Sequence, residues 1–238
     1  PPGSKGPISL EWGNGDFTWV NVATFRAHNF PVWSVAFSPV GYYFATGAYD
    51  QVARMWATDK PHAVRWFVGH VGDVSVVQFH PNCNYLLSGS LDKTVRMWDV
   101  QNGECVRLFC GLRGGVGAIA CSPDGRFLAG GGDTGLVILW DLASGARVRV
   151  LRGHAQGSPV HTLCFSKDGG VLASGGGDCT VRVWEARLAL AEAAAAYPAQ
   201  QTSFDAANFD TETDRLYRES IRPPNAAQIH KGAGGKTI

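Results

Sequence analysis

The feature that most constrains the fold of this chain is an internal repeat, whose period of about 40–45 residues falls in the range of known repeat architectures. Landmark residues recur at this period in four successive units. The best-marked position is a tryptophan, which recurs as Trp56, Trp98, Trp140 and Trp184, with the last interval two positions longer than the others. A second series, evenly spaced throughout, is Val22, Val64, Val106 and Val148. A fixed period of this length is the signature of stacked supersecondary units, so the sequence predicts a repeat protein.

Each unit contains four short apolar segments separated by turn residues. In the second unit the segments are VSVVQF (74–79), NYLLSG (84–89), TVRMW (94–98) and CVRLF (105–109). Valine, phenylalanine, tryptophan and threonine dominate them, which favours β-strands, and the Asn, Asp, Gly and Pro residues in between favour turns. The segments alternate only weakly between apolar and polar residues, so both faces of each sheet are expected to be covered. The predicted fold class is all-β, with four-stranded sheets stacked radially.

Composition limits the classes of function. The 238 residues are 45% apolar and 17% charged, with a formal net charge of +1, which is typical of a globular protein. The charge is spread evenly, whereas nucleic-acid affinity usually comes from clustered Lys and Arg, so direct sequence-specific nucleic-acid binding is not expected. The sequence has no run of 18 apolar residues, which argues against a membrane span. The six cysteines lack zinc-ligand spacing, and we interpret them as free thiols; no metal, cofactor or small-molecule substrate is predicted.

Gly-His and Trp-Asp landmarks at this period resemble those of the WD-repeat β-propeller family. The resemblance covers residues 17–185 and implies WD40-type blades, about four in this chain, as part of a seven-bladed ring. In that family a His, a Ser or Thr, a turn Asp and the Trp form a hydrogen-bonded chain within one blade, called here a tetrad. The resemblance assigns the tetrads to His28, Thr46, Asp50 and Trp56, then His70, Ser88, Asp92 and Trp98, and finally His154, Ser174, Asp178 and Trp184.

A Ser-His-Asp set also suggests a hydrolase, and this alternative has to be weighed. The set recurs in three units, whereas a hydrolase needs one, so we interpret these residues as structural and predict no catalytic residue. The third unit departs from the pattern, because Leu112, Gly130 and Thr134 replace its His, hydroxyl residue and Asp. This unit is expected to lack the polar network, to depend on packing and to be the weakest of the four.

Segments that the repeat does not prescribe narrow the resemblance. HNFPVWSVAFSPVGYYFATGAYDQVARMWATD (28–59) is similar to a blade of the WD-repeat subunits of the general transcription factor TFIID, and residues 79–111 and 122–145 resemble the next two blades. The resemblance implies a nuclear, non-enzymatic scaffold that binds histone-fold partner subunits in RNA polymerase II transcription. Two alternatives remain: a WD subunit of a SAGA-type coactivator, or another WD adaptor such as a ubiquitin-ligase substrate receptor.

The composition changes along the chain and predicts four regions. Residues 1–16 are expected to be disordered, and residues 17–185 are expected to form the propeller segment. Within it, residues 17–25 are predicted to be the outer strand of an earlier blade; as an alternative, they complete the fourth blade and close a smaller ring. Helix formers followed by Pro198 predict a helix over 186–198, and the polar residues 199–238 predict a mostly disordered tail.

The resemblance also predicts where partners bind. In WD propellers, the residue before the turn Asp and residues near the start of each inner strand line the narrow top face. Large aromatic residues on such a face are typical interface anchors, although Trp33 could instead fill a gap between blades. The predicted partner-binding residues are Trp33, Tyr49, Asp73, Ser75, Leu91 and His161.

Overall fold

The computed structural model describes residues 8–11, 16–19, 21 and 23–186, and these residues contain seventeen β-strands. Fifteen of the strands form four antiparallel sheets, here called blades I to IV, in which neighbours in sequence are neighbours in space. Blade I consists of β3 (Val32–Phe37), β4 (Tyr43–Ala48), β5 (Val52–Ala57) and β6 (Ala63–Val68). Blade II consists of β7 (Val74–Phe79), β8 (Tyr85–Ser90), β9 (Val95–Asp99) and β10 (Cys105–Phe109). Blade III consists of β11 (Val116–Cys121), β12 (Phe127–Gly132), β13 (Leu136–Asp141) and β14 (Arg147–Arg152), and blade IV of β15 (Val160–Phe165), β16 (Val171–Gly176) and β17 (Val181–Glu185).

The four sheets confirm the predicted all-β fold of WD40-type blades. The strands are short because each apolar segment of five or six residues runs directly into turn chemistry. Tight turns close the hairpins, as at Gly41 and Gly125, where φ is +74° and +73°, a region that glycine adopts without strain. No helix long and apolar enough to cross a membrane occurs in the described part of the chain.

Neighbouring blades are joined by one contact that repeats with the sequence. A glycine in the second strand of one blade faces a valine that begins the inner strand of the next blade. A β-carbon at Gly47 would lie 2.7 Å from a methyl carbon of Val74, so only glycine allows this approach. The same contact, with the same 2.7 Å separation, occurs between Gly89 and Val116 and between Gly131 and Val160. These three pairs are called here the Gly–Val contacts, and they pack the sheets to the density of a protein interior.

The stack of blades is open at both ends. On the inner strand of blade I, Val35 is 64% exposed, whereas its counterpart in blade II, Val77, is 4% exposed. On the third strand of blade IV, Val183 is 69% exposed, whereas its counterpart Met97 in blade II is 8% exposed. Both end faces therefore carry residues that are buried wherever another blade is present.

The structure corrects two expectations for the first residues of the chain. Residues 8–11, expected to be disordered, form strand β1 (Ile8–Glu11), which pairs with β2 (Asp16–Trp19) in a separate two-stranded sheet. Of the strand expected over 17–25, residues 17–19 lie in β2, whereas residues 23–25 form no strand. Ile, Phe and Trp favour a strand here, but the pairing strand is local rather than part of a blade.

The alternative in which residues 17–25 complete blade IV does not hold for the described residues. Among the described residues this sheet has three strands, and its order β15-β16-β17 includes no strand from the start of the chain. The helix expected over 186–198 and the tail expected over 199–238 lie outside the described residues, apart from Ala186.

Candidate docking face and hydrogen-bonded tetrads

The structure brings the four tetrad residues of blade II together. The loop before β7 supplies His70, β8 supplies Ser88, the β8–β9 turn supplies Asp92, and β9 supplies Trp98. The His70 Nδ1 atom lies 2.7 Å from an Asp92 carboxylate oxygen, and its Nε2 atom lies 2.8 Å from the Ser88 hydroxyl. The Trp98 indole N–H donates to the same hydroxyl at 2.7 Å. The chain of hydrogen bonds therefore crosses the blade from its turn to its interior.

Blades I and IV repeat this arrangement. In blade I the Trp56 indole N–H donates to Thr46 Oγ1 at 2.9 Å, and that oxygen lies 2.7 Å from His28 Nε2. Asp50 lies 2.9 Å from His28 Nδ1 and also accepts a hydrogen bond from Arg54 at 2.6 Å. The corresponding set in blade IV has separations of 2.8 to 2.9 Å for its three links, which join Asp178, His154, Ser174 and Trp184.

Burial sets the protonation of these groups. Burial lowers the pKa of His70 despite the opposing effect of the Asp92 carboxylate, and burial also lowers the pKa of His28. Burial alone would raise the pKa of Asp92, but hydrogen bonds from His70 and Thr94 outweigh it and hold that pKa well below its ordinary value. In blades I and II the tetrad histidine is thus a neutral imidazole beside a carboxylate.

A Ser-His-Asp relay needs a hydroxyl that a substrate can reach, and the tetrads do not provide one. Ser88 has no exposed surface, and its oxygen already accepts the Trp98 N–H. Ser174 is 1% exposed and accepts the Trp184 N–H in the same way. The arrangement therefore satisfies buried polar groups, each of which would cost about 1–3 kcal/mol if left unpaired.

Blade III replaces the network with packing. Leu112 is buried at the histidine position, and a β-carbon at Gly130 would lie 2.7 Å from the Trp140 ring, which leaves no room for a hydroxyl side chain. The Trp140 indole N–H donates instead to the backbone oxygen of Cys110 at 3.2 Å. The large tryptophan is thus kept in all four blades, with a different acceptor in the third.

Four of the six predicted partner-binding residues lie on one edge of blades I and II. The Trp33 indole N–H donates to the Asp73 carboxylate at 3.2 Å and so bridges the two blades. The Tyr49 backbone N–H donates to the Pro31 oxygen at 3.0 Å, and the Leu91 N–H donates to the Asp73 oxygen at 2.9 Å, which places both at equivalent points of this edge. Trp33 is 55% exposed and Tyr49 is 49% exposed.

Sequence reasoning missed one member of this surface, Phe30. Its ring centroid lies 5.5 Å from that of Tyr49, and its side chain is 54% exposed. The signal available was an aromatic residue two positions after the tetrad histidine, in a loop that needs no aromatic for packing. The exposed side chains Phe30, Trp33, Tyr49 and Leu91, together with the half-buried Asp73, are called here the rim patch.

The structure does not bring the other two predicted residues into the rim patch. The Ser75 hydroxyl is half-buried and donates to the backbone oxygens of Gly89 and Val116, so it joins blade II to blade III. His161 is exposed, but it lies on β15 in blade IV rather than beside blades I and II. The second position of the inner strand is therefore not available for partner binding in every blade. In blade II the small polar residue Ser75 forms hydrogen bonds that join two blades instead.

The described residues contain no group of three or more His, Cys, Asp or Glu side chains that could hold a metal ion. The six cysteines are all free, and Cys121 is the one that is fully buried. Burial raises the pKa of Cys121 to about 12, which keeps it as a thiol.

Four successive blades, each with a tryptophan in its third strand, define a protein of the WD40 repeat class. Comparison with known families agrees: the model described as "WD domain, G-beta repeat" matches residues 19–57, 62–99, 103–141 and 145–185. These ranges make up more than half of the chain, which therefore belongs to the WD40 family. WD40 repeats mediate protein–protein interactions and indicate a scaffold or adaptor role.

A comparison with individual proteins gives a shorter match. A stretch of 44 residues is 48% identical to "Transcription initiation factor TFIID subunit 5" of Caenorhabditis elegans. The match covers 18% of this chain and 7% of the length of that relative. It supports the assignment to the WD-repeat family.

Proposed function

We propose that this chain is part of a non-enzymatic WD40 scaffold in a TFIID-like transcription initiation complex of the nucleus, and that its rim patch docks a histone-fold partner subunit. The observation that carries the docking proposal is the Trp33–Asp73 hydrogen bond across blades I and II. The similarity to a TFIID subunit supports the choice of complex.

The physical properties of the rim patch suit protein recognition. Its three aromatic side chains are about half exposed, and large exposed aromatics are the residues most often responsible for binding energy in interfaces. The Asp73 carboxylate fixes the Trp33 ring, so less side-chain freedom is lost when a partner covers it. Apolar rings beside a carboxylate match a partner surface that has an apolar centre and a basic rim.

The non-enzymatic part of the proposal is supported by the tetrads, because their hydroxyls are buried and already hydrogen-bonded. The open ends of the stack support completion of a ring by further blades, seven in all as the family resemblance implies. Val32 is 48% exposed at one end, and at the other end a β-carbon at Gly175 would meet only Thr162 of its own blade. The valine of a Gly–Val contact thus stands without its glycine at one end, and the glycine stands without its valine at the other.

Affinity capture from nuclear extract tests the choice of complex. The full chain, tagged and immobilised, is expected to recover TFIID subunits with histone folds, identified by mass spectrometry. Recovery of SAGA-type coactivator subunits or of ubiquitin-ligase subunits in their place would contradict the TFIID assignment and favour the corresponding alternative.

Substitutions in the rim patch test the docking surface separately. Trp33→Ala and Tyr49→Ala are each expected to lower partner recovery about tenfold or more, as is usual for interface anchors. Trp66→Ala is the matched control, because Trp66 is an equally exposed tryptophan (59%) on β6, away from the rim patch. Full recovery by both rim variants would place the docking surface elsewhere, whatever complex is captured.

A further inference from the structure

Blade III has a cavity where the other blades have polar side chains. At the positions of the tetrad Asp and His it has Thr134 and Leu112, and Ile138 stands where blades I, II and IV have arginine two residues before the tryptophan. These three replacements remove the carboxylate, the imidazole and the guanidinium that the other blades have at these positions. The Thr134 hydroxyl oxygen is buried and has no hydrogen-bond partner among the described residues.

The replacement of arginine by isoleucine leaves more room beside Gly111 than blades II and IV have beside the equivalent glycines. In blade II a guanidinium nitrogen of Arg96 lies only 2.8 Å from the β-carbon position of Gly69. At the equivalent Gly111, the nearest atoms are a methyl carbon of Ile138 at 3.6 Å and a guanidinium nitrogen of Arg147 at 3.7 Å. A cavity of about 490 Å³ lies here, and its lining includes the apolar side chains of Leu136, Ile138 and Val150 and, from the loop before blade IV, His154.

Three arginines line this cavity: Arg113 from the loop before β11, and Arg147 and Arg152 from β14. In the ladder between β13 and β14, Arg152 is opposite Leu136 and Arg147 is opposite Trp140, so both arginines lie on the face that carries the cavity. All three are exposed, and none pairs with a carboxylate among the described residues; no Asp or Glu lines the cavity. The site therefore combines three cations with no carboxylate.

We propose that this cavity binds the phosphate group of a phosphorylated serine or threonine on a protein partner. A phosphate monoester offers three terminal oxygens and about two negative charges, which three guanidinium groups can match. A carboxylate has two oxygens and one charge, so it leaves part of this set unused. Arginine suits phosphate because its planar fork donates two parallel hydrogen bonds.

The dimensions favour a phosphorylated side chain over a free ion or a nucleic acid. The cavity falls within the usual range for small-molecule sites, about 300–1,000 Å³, so it has room for a side chain and part of the adjoining backbone. The apolar side chains that line it would contact the β-carbon that carries the phosphate and, in phosphothreonine, the adjoining methyl group. The three cations line a single cavity, whereas a nucleic acid strand needs basic residues along an extended groove.

The proposal is tested with the full 238-residue chain and a degenerate peptide pool that carries one central phosphoserine. Fluorescence anisotropy is expected to show about tenfold or tighter binding of this pool than of the same pool with serine or glutamate. Inorganic phosphate at millimolar concentration is expected to compete only weakly. Equal binding of the serine and phosphoserine pools, or tighter binding of inorganic phosphate or of a single-stranded oligonucleotide, would overturn the proposal.

Variants locate the site. Arg147→Ala and Arg152→Ala are each expected to weaken binding of the phosphoserine pool about tenfold. Arg149→Ala is the matched control, because it removes the same charge from the same strand at a residue that does not line the cavity. Thr134→Asp, which restores the carboxylate of the other blades, is expected to abolish binding while the arginines remain. An equal loss in Arg149→Ala and Arg147→Ala would show that binding follows overall charge, and would contradict the assignment.

Discussion

Replacement of Asp92 by alanine tests the role of the tetrad most directly. The Asp92 side chain is 4% exposed, and it accepts from His70 Nδ1 at 2.7 Å, from the Val71 backbone N–H at 3.2 Å, and from the Thr94 N–H and hydroxyl at 3.0 and 2.6 Å. The His70 side chain has no exposed surface, so its N–H would stay buried without a partner, at a cost of about 1–3 kcal/mol. The lost charge-assisted bonds to Thr94 add to this, for a total of about 3 kcal/mol.

Urea denaturation of the full chain measures this cost. With a denaturant slope of about 3 kcal/mol per molar, Asp92→Ala is expected to lower the midpoint by about 1 M. Asp133→Ala is the matched control, because Asp133 is an exposed carboxylate in the corresponding turn of blade III, with no histidine to pair. Its midpoint is expected to change little. Equal effects of the two substitutions, or an unchanged midpoint in Asp92→Ala, would refute the assignment of stability to the tetrad.

Three further outcomes are expected. Burial lowers the pKa of His70, so below pH 6.5 the unfolded chain gains a proton there that the folded chain does not, and the urea midpoint is expected to fall from pH 7 towards pH 5. Gly89→Ala is expected to destabilise by about 1–3 kcal/mol because its β-carbon would lie 2.7 Å from the next blade, whereas Gly175→Ala, which faces no further blade, should cost less in the same assay. Alkylation followed by mass spectrometry is expected to modify the exposed Cys164 well before Cys121, whose pKa burial raises to about 12.

The repeat period made the fold predictable because each period of sequence forms one blade with the same order of strands. Positions one period apart occupy the same place in successive blades, so the tryptophan series locates the third strand of each blade. The all-β class and the blade type followed from this series and are confirmed. The hairpin of β1 and β2 was missed because it lies outside the repeat and its strands are only four residues long.

Side-chain surroundings were less predictable than strand positions. The rim patch depends on the Trp33–Asp73 hydrogen bond, which joins residues 40 apart and follows from how two sheets meet. Ser75 has the same position in its strand as Trp33, yet its hydroxyl is used between blades. The cavity of blade III needs the register of β13 and β14, because that register places Arg147 and Arg152 on one face.

The Gly–Val contacts have a consequence for how such a chain changes in length over evolution. Each repeat unit carries one glycine, which contacts the next blade, and one valine, which contacts the preceding blade. A tandem duplication of one complete unit therefore adds both residues of the contact together. A new unit can then fit between any two existing ones without new complementary surfaces. A deletion of one complete unit is equally neutral to the contacts that remain. An insertion of any other length within one of these strands, in contrast, shifts the register of the strand and separates the glycine from its valine.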